Sequence, residues 1–183
     1  MPRITELKPE EMNDAQARIA GEIAAGPRGG LRGPFPAWLR SPELADRGQK
    51  LGEFIRFNTS FPPTLSELAI LITARHWTAQ YEWYAHARIA REAGIDAAVI
   101  EAIAKRERPP LDTEEAEIIY DFCTENYATH RVGDGLYARA VDAFGEKGVA
   151  ELVGIMGYYT LVAMTLNVFE LSVPEGEPEP LAP

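Results

Sequence analysis

One stretch of this chain, Glu67 to Gly94 (ELAILITARHWTAQYEWYAHARIAREAG), limits what the chain can fold into. Its apolar residues recur at helical spacing, so the stretch belongs in a helical core. Yet it carries Glu67, Glu82 and His86. Core helices avoid ionisable side chains unless something pairs them or uses them. Glu82 and His86 are four residues apart, which places them on one helical face within reach of each other. On a single straight helix Glu82 would lie about 60° and His86 about 100° round from Glu67, with Arg75 between them. A break at Thr78 to Gln80 would spoil the angle for Glu67 and leave the Glu82–His86 pair intact.

The rest of the chain reads as helix as well. No segment shows strand alternation strong enough to outvote the helical periods, so the expected fold class is all-α, a compact multi-helix bundle. Pro9 to Ala25 is a polar-faced helix with Glu10, Glu11 and Asp14 near its N-terminus. Gly26 to Pro36 (GPRGGLRGPFP) is a loop, of a kind that is often functional inside a compact domain. A short helix holds Ala37 to Leu39. Ser41 is placed to cap a helix over Pro42 to Phe57. Thr64-Leu65-Ser66-Glu67 has the form of a capping box, which gives Glu67 a structural reading beside the functional one. The helix from there runs to His76 at least, and a second spans about Ala79 to Ala93, closed by Gly94.

Asp96 caps Ala97 to Lys105, and Asp112 or Thr113 starts Glu114 to Ala128. Asp134 starts Gly135 to Phe144, and after a turn at Gly145 to Gly148 the last helix covers Val149 to Phe169. Residues 1–173 are expected to form one domain, of which 1–35 are the N-terminal helix and the Gly/Pro loop. The tail, 174–183 (PEGEPEPLAP), is too rich in Pro and Glu to build a core and is expected to be extended or disordered.

A chain of 183 residues with 46% hydrophobic and 25% charged residues can bury a sizeable core. Its net charge of −10 argues against nucleic acid or an anionic membrane as a partner. A local arginine could still invert the field in a cleft for an anionic substrate. The apolar run Val149 to Leu171 is interrupted by Glu151, Gly154, Gly157, Asn167 and Glu170, and reads as a buried helix, not a membrane span. The single cysteine, Cys123, cannot form an internal disulfide and lies on an apolar helical face, which reads as a buried structural thiol. That usage, with no basic-then-apolar leader, leads to the expectation of a cytoplasmic protein.

His86 is the best proton-transfer candidate, because imidazole titrates near neutral pH. Glu82 could orient it, or could act as acid or base itself if burial raises its pKa. The two could also simply satisfy each other in the core. Two ligands are too few for a metal site, and no His-Glu-x-x-His pattern is present, so no metal is expected. His76 reads as a core-edge or interface residue and His130 as a helix-end residue. Trp77, Tyr81, Trp83 and Tyr84 crowd the pair, either as core contacts or as walls of an apolar pocket. Asn167, at the end of the last apolar run beyond Tyr158 and Tyr159, needs a polar partner.

A glutamate, then Tyr-Glu-Trp, then a histidine on a small-residue helix ending in Ala-Gly resembles the carboxymuconolactone decarboxylase family, which includes the alkylhydroperoxidase D-like proteins. The resemblance runs from roughly Pro36 to Leu171 and is strongest from Leu65 to Ile103. In the peroxidase branch the pattern is Glu followed by Cys-x-x-Cys-x-x-x-His. Counting back from His86, the cysteine positions hold Ala79 and Glu82, so the chain resembles the cysteine-free branch. The resemblance implies the alkylhydroperoxidase D-like bundle, assembled as a homotrimer or homohexamer. It implies a cofactor-free lyase acting on a small unsaturated carboxylic acid or lactone. In the catalytic set His86 would donate the proton, with Glu82 its orienting partner and Glu67 behind them. Tyr81 and Trp83 would bind the substrate, and Arg75 is a carboxylate-binding candidate from its proximity in sequence alone. A thiol peroxidase and a non-catalytic oligomeric binding protein are the competing readings.

Overall fold

A computed structural model places residues 2–26 and 29–183; Pro27 and Arg28 of the expected loop lie outside the described residues. The elements, in chain order, are a 3-10 turn at Pro9–Glu11 and then α1 (Asp14–Ala25), α2 (Phe35–Trp38), α3 (Pro42–Phe57), α4 (Pro63–His76), α5 (Gln80–Glu92), α6 (Ala97–Ala104), α7 (Glu114–Thr129) and α8 (Asp134–Val168). No strand occurs among the described residues. The all-α expectation is met.

The central element is α4. Every residue from Ser66 to Arg75 is buried, because the sequence is apolar on all sides of the helix. It packs against α5, α6, α7 and α8. Two prolines start it: Pro62 in an extended conformation and Pro63 at the first helical position, where a missing N–H costs nothing. The expected capping box does not form. Helix entry one residue before Thr64 moves Glu67 into the second turn, where its side chain faces the core instead of the helix end. Ser41 likewise stands at the start of α3 without a side-chain cap. Asp96 and Thr113 do cap, accepting from the amides of Ala98 at 2.7 Å and Ala116 at 3.2 Å.

The N-terminal region is bound into the bundle rather than appended to it. α1 begins at a reciprocal Asn13–Gln16 cap, after which the buried Gln16 amide donates to the Leu39 carbonyl at 2.9 Å. Trp38 is 3% exposed, and its indole N–H donates to Thr165 Oγ1 on α8 at 2.9 Å. Gly48 on α3 makes room for that indole: a Cβ there would meet Trp38 Cζ3 at 2.9 Å. α8 is two helices joined at Gly145, whose φ of 68° breaks the ladder. The sequence signal for a turn at Gly145 is therefore met by a kink. Most of the apolar length of α8 is buried inside the fold.

The tail is extended, as its composition implies, but it is not detached. Leu181 is 4% exposed, and the Gln80 side chain clamps its backbone from both sides: Gln80 Oε1 accepts from the Leu181 amide at 2.9 Å and Gln80 Nε2 donates to the Leu181 carbonyl at 2.8 Å. One leucine with a backbone clamp supplies the docking that proline and glutamate cannot.

Candidate active site

The site is built on the elbow between α4 and α5. Thr78 forms it with a φ of 47°, rare for a β-branched residue. The Trp77 carbonyl, left over at the end of α4, accepts from Asn167 Nδ2 at 2.8 Å, so Asn167 finds its partner beside the elbow. The Trp77 indole donates to Thr160 Oγ1 at 3.2 Å. These bonds from α8 hold the hairpin of α4 and α5 and bring the second turn of α4 opposite the second turn of α5.

That closure joins Glu67 to His86. His86 Nδ1 lies 2.7 Å from Glu67 Oε2, and both side chains are buried. A carboxylate only accepts, so paired with it Nδ1 carries the hydrogen and the imidazole is held in one orientation. The ring of Tyr159 stands edge-on to the imidazole at 4.9 Å. Tyr158 stacks edge-on against Tyr159 in turn and reaches the Trp38 ring. Burial, with the Glu67 charge adding to it, pushes the Tyr159 phenol well up, so this hydroxyl stays a neutral donor.

Glu82 behaves differently from the orienting partner expected of it. It lies in the first turn of α5 and is 2% exposed, and both carboxyl oxygens are buried with no hydrogen-bond partner, so Glu82 and His86 make no direct hydrogen bond. The i, i+4 spacing places the two on one face; the tertiary partner Glu67 takes the imidazole. Desolvation pushes the Glu82 carboxyl well above the ordinary carboxylate range. Burial without a partner favours the neutral form of this carboxyl. The two glutamates thus have different environments: one pairs with an imidazole, and the other has no hydrogen-bond partner.

Glu82 and His86 line a cavity of about 720 Å³, a size suited to a small organic ligand. Its apolar wall includes Trp83, Tyr159, Val162 and Leu166. Tyr81 lines it with its phenol bonded by the Gly33 backbone, and burial raises its pKa against the nearby charge of Arg32. Arg32, Arg56, Arg88 and Arg91 are also among its lining residues. Pro174 and Pro180 of the docked tail complete the wall.

Of the residues expected at the site, Glu67, Glu82, His86, Tyr81 and Trp83 come together. Arg75 does not. It is 5% exposed, turns to Thr78 Oγ1 at 3.0 Å, and lines a different cavity with His76 and Arg106. The straight-helix angle that put Arg75 between the acids fails because the elbow intervenes. Sequence reading did not assign Tyr159, Arg56 or the tail prolines to the site. Nothing local marks them, since each arrives from a remote segment. The Gly/Pro loop was the one usable signal, and residues 30 and 32–35 do line the cavity.

Cys123 is fully buried in the α7 face, and burial raises its thiol pKa far above the usual range. Ala79, at the other redox position of the peroxidase pattern, is wholly buried as well. Among the described residues no cluster of three or more His, Cys, Asp or Glu is arranged to hold a metal ion.

No family model matches the chain, and no curated protein matches it in sequence. Among solved structures it is similar to an alkylhydroperoxidase AhpD core protein, described as an uncharacterized peroxidase-related protein from Ralstonia eutropha JMP134. The two superpose with a TM-score of 0.77 over 95% of this chain and 93% of the other, at 12% identity. The chain has the AhpD-like fold. At that identity the likeness shows architecture, and the chemistry must be argued from the site itself.

Proposed function

We propose that this protein is a cofactor-free acid–base lyase of the carboxymuconolactone decarboxylase type, acting on a small unsaturated carboxylic acid or lactone. The observation that carries the reading is the unpartnered, buried carboxyl of Glu82 on the same cavity wall as the Glu67-oriented His86. Burial favours the protonated form of this carboxyl, and a protonated carboxyl can donate to a substrate in the cavity.

In this reading the arginines lining the cavity draw in the anionic substrate, and the apolar wall takes its carbon skeleton. Moving the substrate carboxylate against Tyr159, Val162 and Leu166 favours loss of its charge. The bond to the carboxylate carbon breaks, CO₂ departs, and the electron pair is delocalised into the conjugated carbonyl. His86 Nε2 or a tyrosine hydroxyl stabilises the oxygen that gains charge. Glu82 gives its proton to carbon and is reprotonated from solvent. The sum is one carboxylate and one proton converted to one C–H bond and one CO₂, with no oxidant or reductant. The roles differ from those expected: Glu67 is the orienting partner and Glu82 the donor.

Thiol peroxidase chemistry is disfavoured, because Ala79 and Glu82 occupy both thiol positions and Cys123 is inaccessible. Self-association belongs to the same proposal. Val153, Leu161, Met164 and Val168 are 38–56% exposed along one face of α8, and Leu51, Phe54 and Phe57 are exposed on the neighbouring α3. Contiguous apolar surface of this kind marks an interface.

The test is CO₂ release from a panel of small unsaturated carboxylic acids and lactone acids in D₂O, with an alkyl hydroperoxide as the control. The expected result is one solvent deuterium at carbon per CO₂ released and no thiol-dependent hydroperoxide turnover. Turnover of the hydroperoxide that is lost in Cys123→Ala would overturn the reading.

A further inference from the structure

A second cavity, of about 260 Å³, lies between α4, α6 and α7 and shares no lining residue with the first. Ile72, Ile103 and Tyr127 give it apolar walls. Its polar side is unusual. The Arg75 guanidinium, on a side chain 5% exposed, donates through Nη1 to Thr78 Oγ1 at 3.0 Å, and its Nε is buried with no partner. Arg106 donates through Nη2 to the same hydroxyl at 3.1 Å. Among the described residues neither arginine forms an ion pair, and Glu107, the one acid on this wall, pairs with neither.

Two guanidinium groups therefore converge on one neutral oxygen. Buried charge is normally paired with opposite charge, and a chain with 28 acidic residues has carboxylates to spare. Instead the charged group acting on both Arg75 and His76 is a second arginine, Arg106. Burial and then the Arg106 charge lower the Arg75 pKa; burial, then Arg106, then His130 lower that of His76. His76 stacks flat on the Tyr127 ring at 4.2 Å, and an imidazole, neutral or cationic, supplies no negative charge to the arginines. The arrangement is complete only with an anion from outside, and the apolar walls ask for a compact apolar body attached to it.

We propose that this cavity is a binding site for a small organic anion, its carboxylate or phosphate oxygens held by Arg75 and Arg106 and its apolar body against Ile72, Ile103 and Tyr127. Carboxylates and phosphates offer the same acceptor geometry to a guanidinium fork.

The full-length protein is titrated calorimetrically with benzoate, phenyl phosphate and inorganic phosphate, at ionic strength fixed with sodium chloride. The expected result is saturable binding of benzoate or phenyl phosphate, tighter than inorganic phosphate; which of the two binds better identifies the headgroup. Arg106 is exposed, so Arg106→Gln keeps the fold, and it should weaken binding at least tenfold. Arg106→Lys should restore part of the affinity, and His86→Gln should leave it unchanged. The proposal is overturned if neither aromatic anion binds saturably, or if Arg106→Gln binds like the wild type. It is also overturned if binding is lost in His86→Gln alone, which would place the anion in the first cavity. Loss of self-association in Arg106→Gln without anion binding would assign the arginines to acidic groups of a second copy.

Discussion

Glu67 Oε2 and His86 Nδ1 are 2.7 Å apart across two helices, although nineteen residues separate them in the chain. The pair ties the second turn of α4 to α5 and fixes the imidazole against the Tyr159 ring. Glu67→Gln keeps the side-chain volume but exchanges a charge-assisted bond for a neutral one. Loss of about 1–3 kcal/mol of stability is expected. Turnover should fall about 10- to 100-fold as the imidazole loses its orientation. Urea denaturation and steady-state kinetics on the same preparation check both.

Glu82 makes stability depend on pH in a stated direction. Its folded pKa is raised by burial, so the folded state holds a proton that the unfolded chain releases. Stability therefore falls as pH rises from the ordinary glutamate pKa of 4.5 toward the raised folded value. Each pH unit in that window costs about 1.4 kcal/mol for one proton. Glu82→Gln has no proton to lose. It should match the wild type at pH 4 and exceed it at pH 8 in chemical denaturation. A neutral carboxyl C=O stretch in the infrared that persists above the ordinary glutamate pKa of 4.5, absent from Glu82→Gln, is the matching spectroscopic sign.

The clamp on Leu181 predicts that the tail governs access to the cavity. Leu181→Ala removes a buried side chain whose loss costs up to about 2–5 kcal/mol in a rigid core. Leu181 lies in the terminal tail, outside the helices of the bundle, so the melting temperature should move less than that figure implies. Limited proteolysis after residue 173 should speed up severalfold, and Gln80→Ala should act in the same direction. Equal cleavage rates in all three proteins would contradict docking.

The exposed face of α8 predicts self-association. Light scattering of the wild type at micromolar concentration should give a homo-oligomer, with a trimer or hexamer expected. Val153→Glu combined with Met164→Glu should shift it toward monomer. A wild type that is monomeric at that concentration would remove this part of the account.

Much of the architecture was legible in the sequence because its signals are local. The break at Thr78 follows the end of an apolar helix, Asp96 and Thr113 announce their helices, and Gly145 marks the kink in α8. The Glu82–His86 spacing correctly put both on one face. It could not show which acid holds the imidazole, because that choice depends on the fold-back at the elbow. Glu67 looked like a capping residue because Thr64 precedes it by three; Pro62 and Pro63 start the helix earlier and turn Glu67 inward. Arg75 was misplaced by extending one helix through the elbow. The tail was read by composition, which cannot register that one leucine, Leu181, has a clamp waiting on Gln80.

The central claim is that Glu82 supplies the proton and His86, oriented by Glu67, supports it. The most direct test is the turnover of correctly folded Glu82→Gln and His86→Gln proteins on a substrate identified by CO₂ release. A positioned acid–base group contributes about 10²–10⁴-fold in rate. The account predicts a fall in kcat of that size for Glu82→Gln with KM little changed, and a comparable fall for His86→Gln. Turnover within threefold of the wild type in folded Glu82→Gln would contradict it.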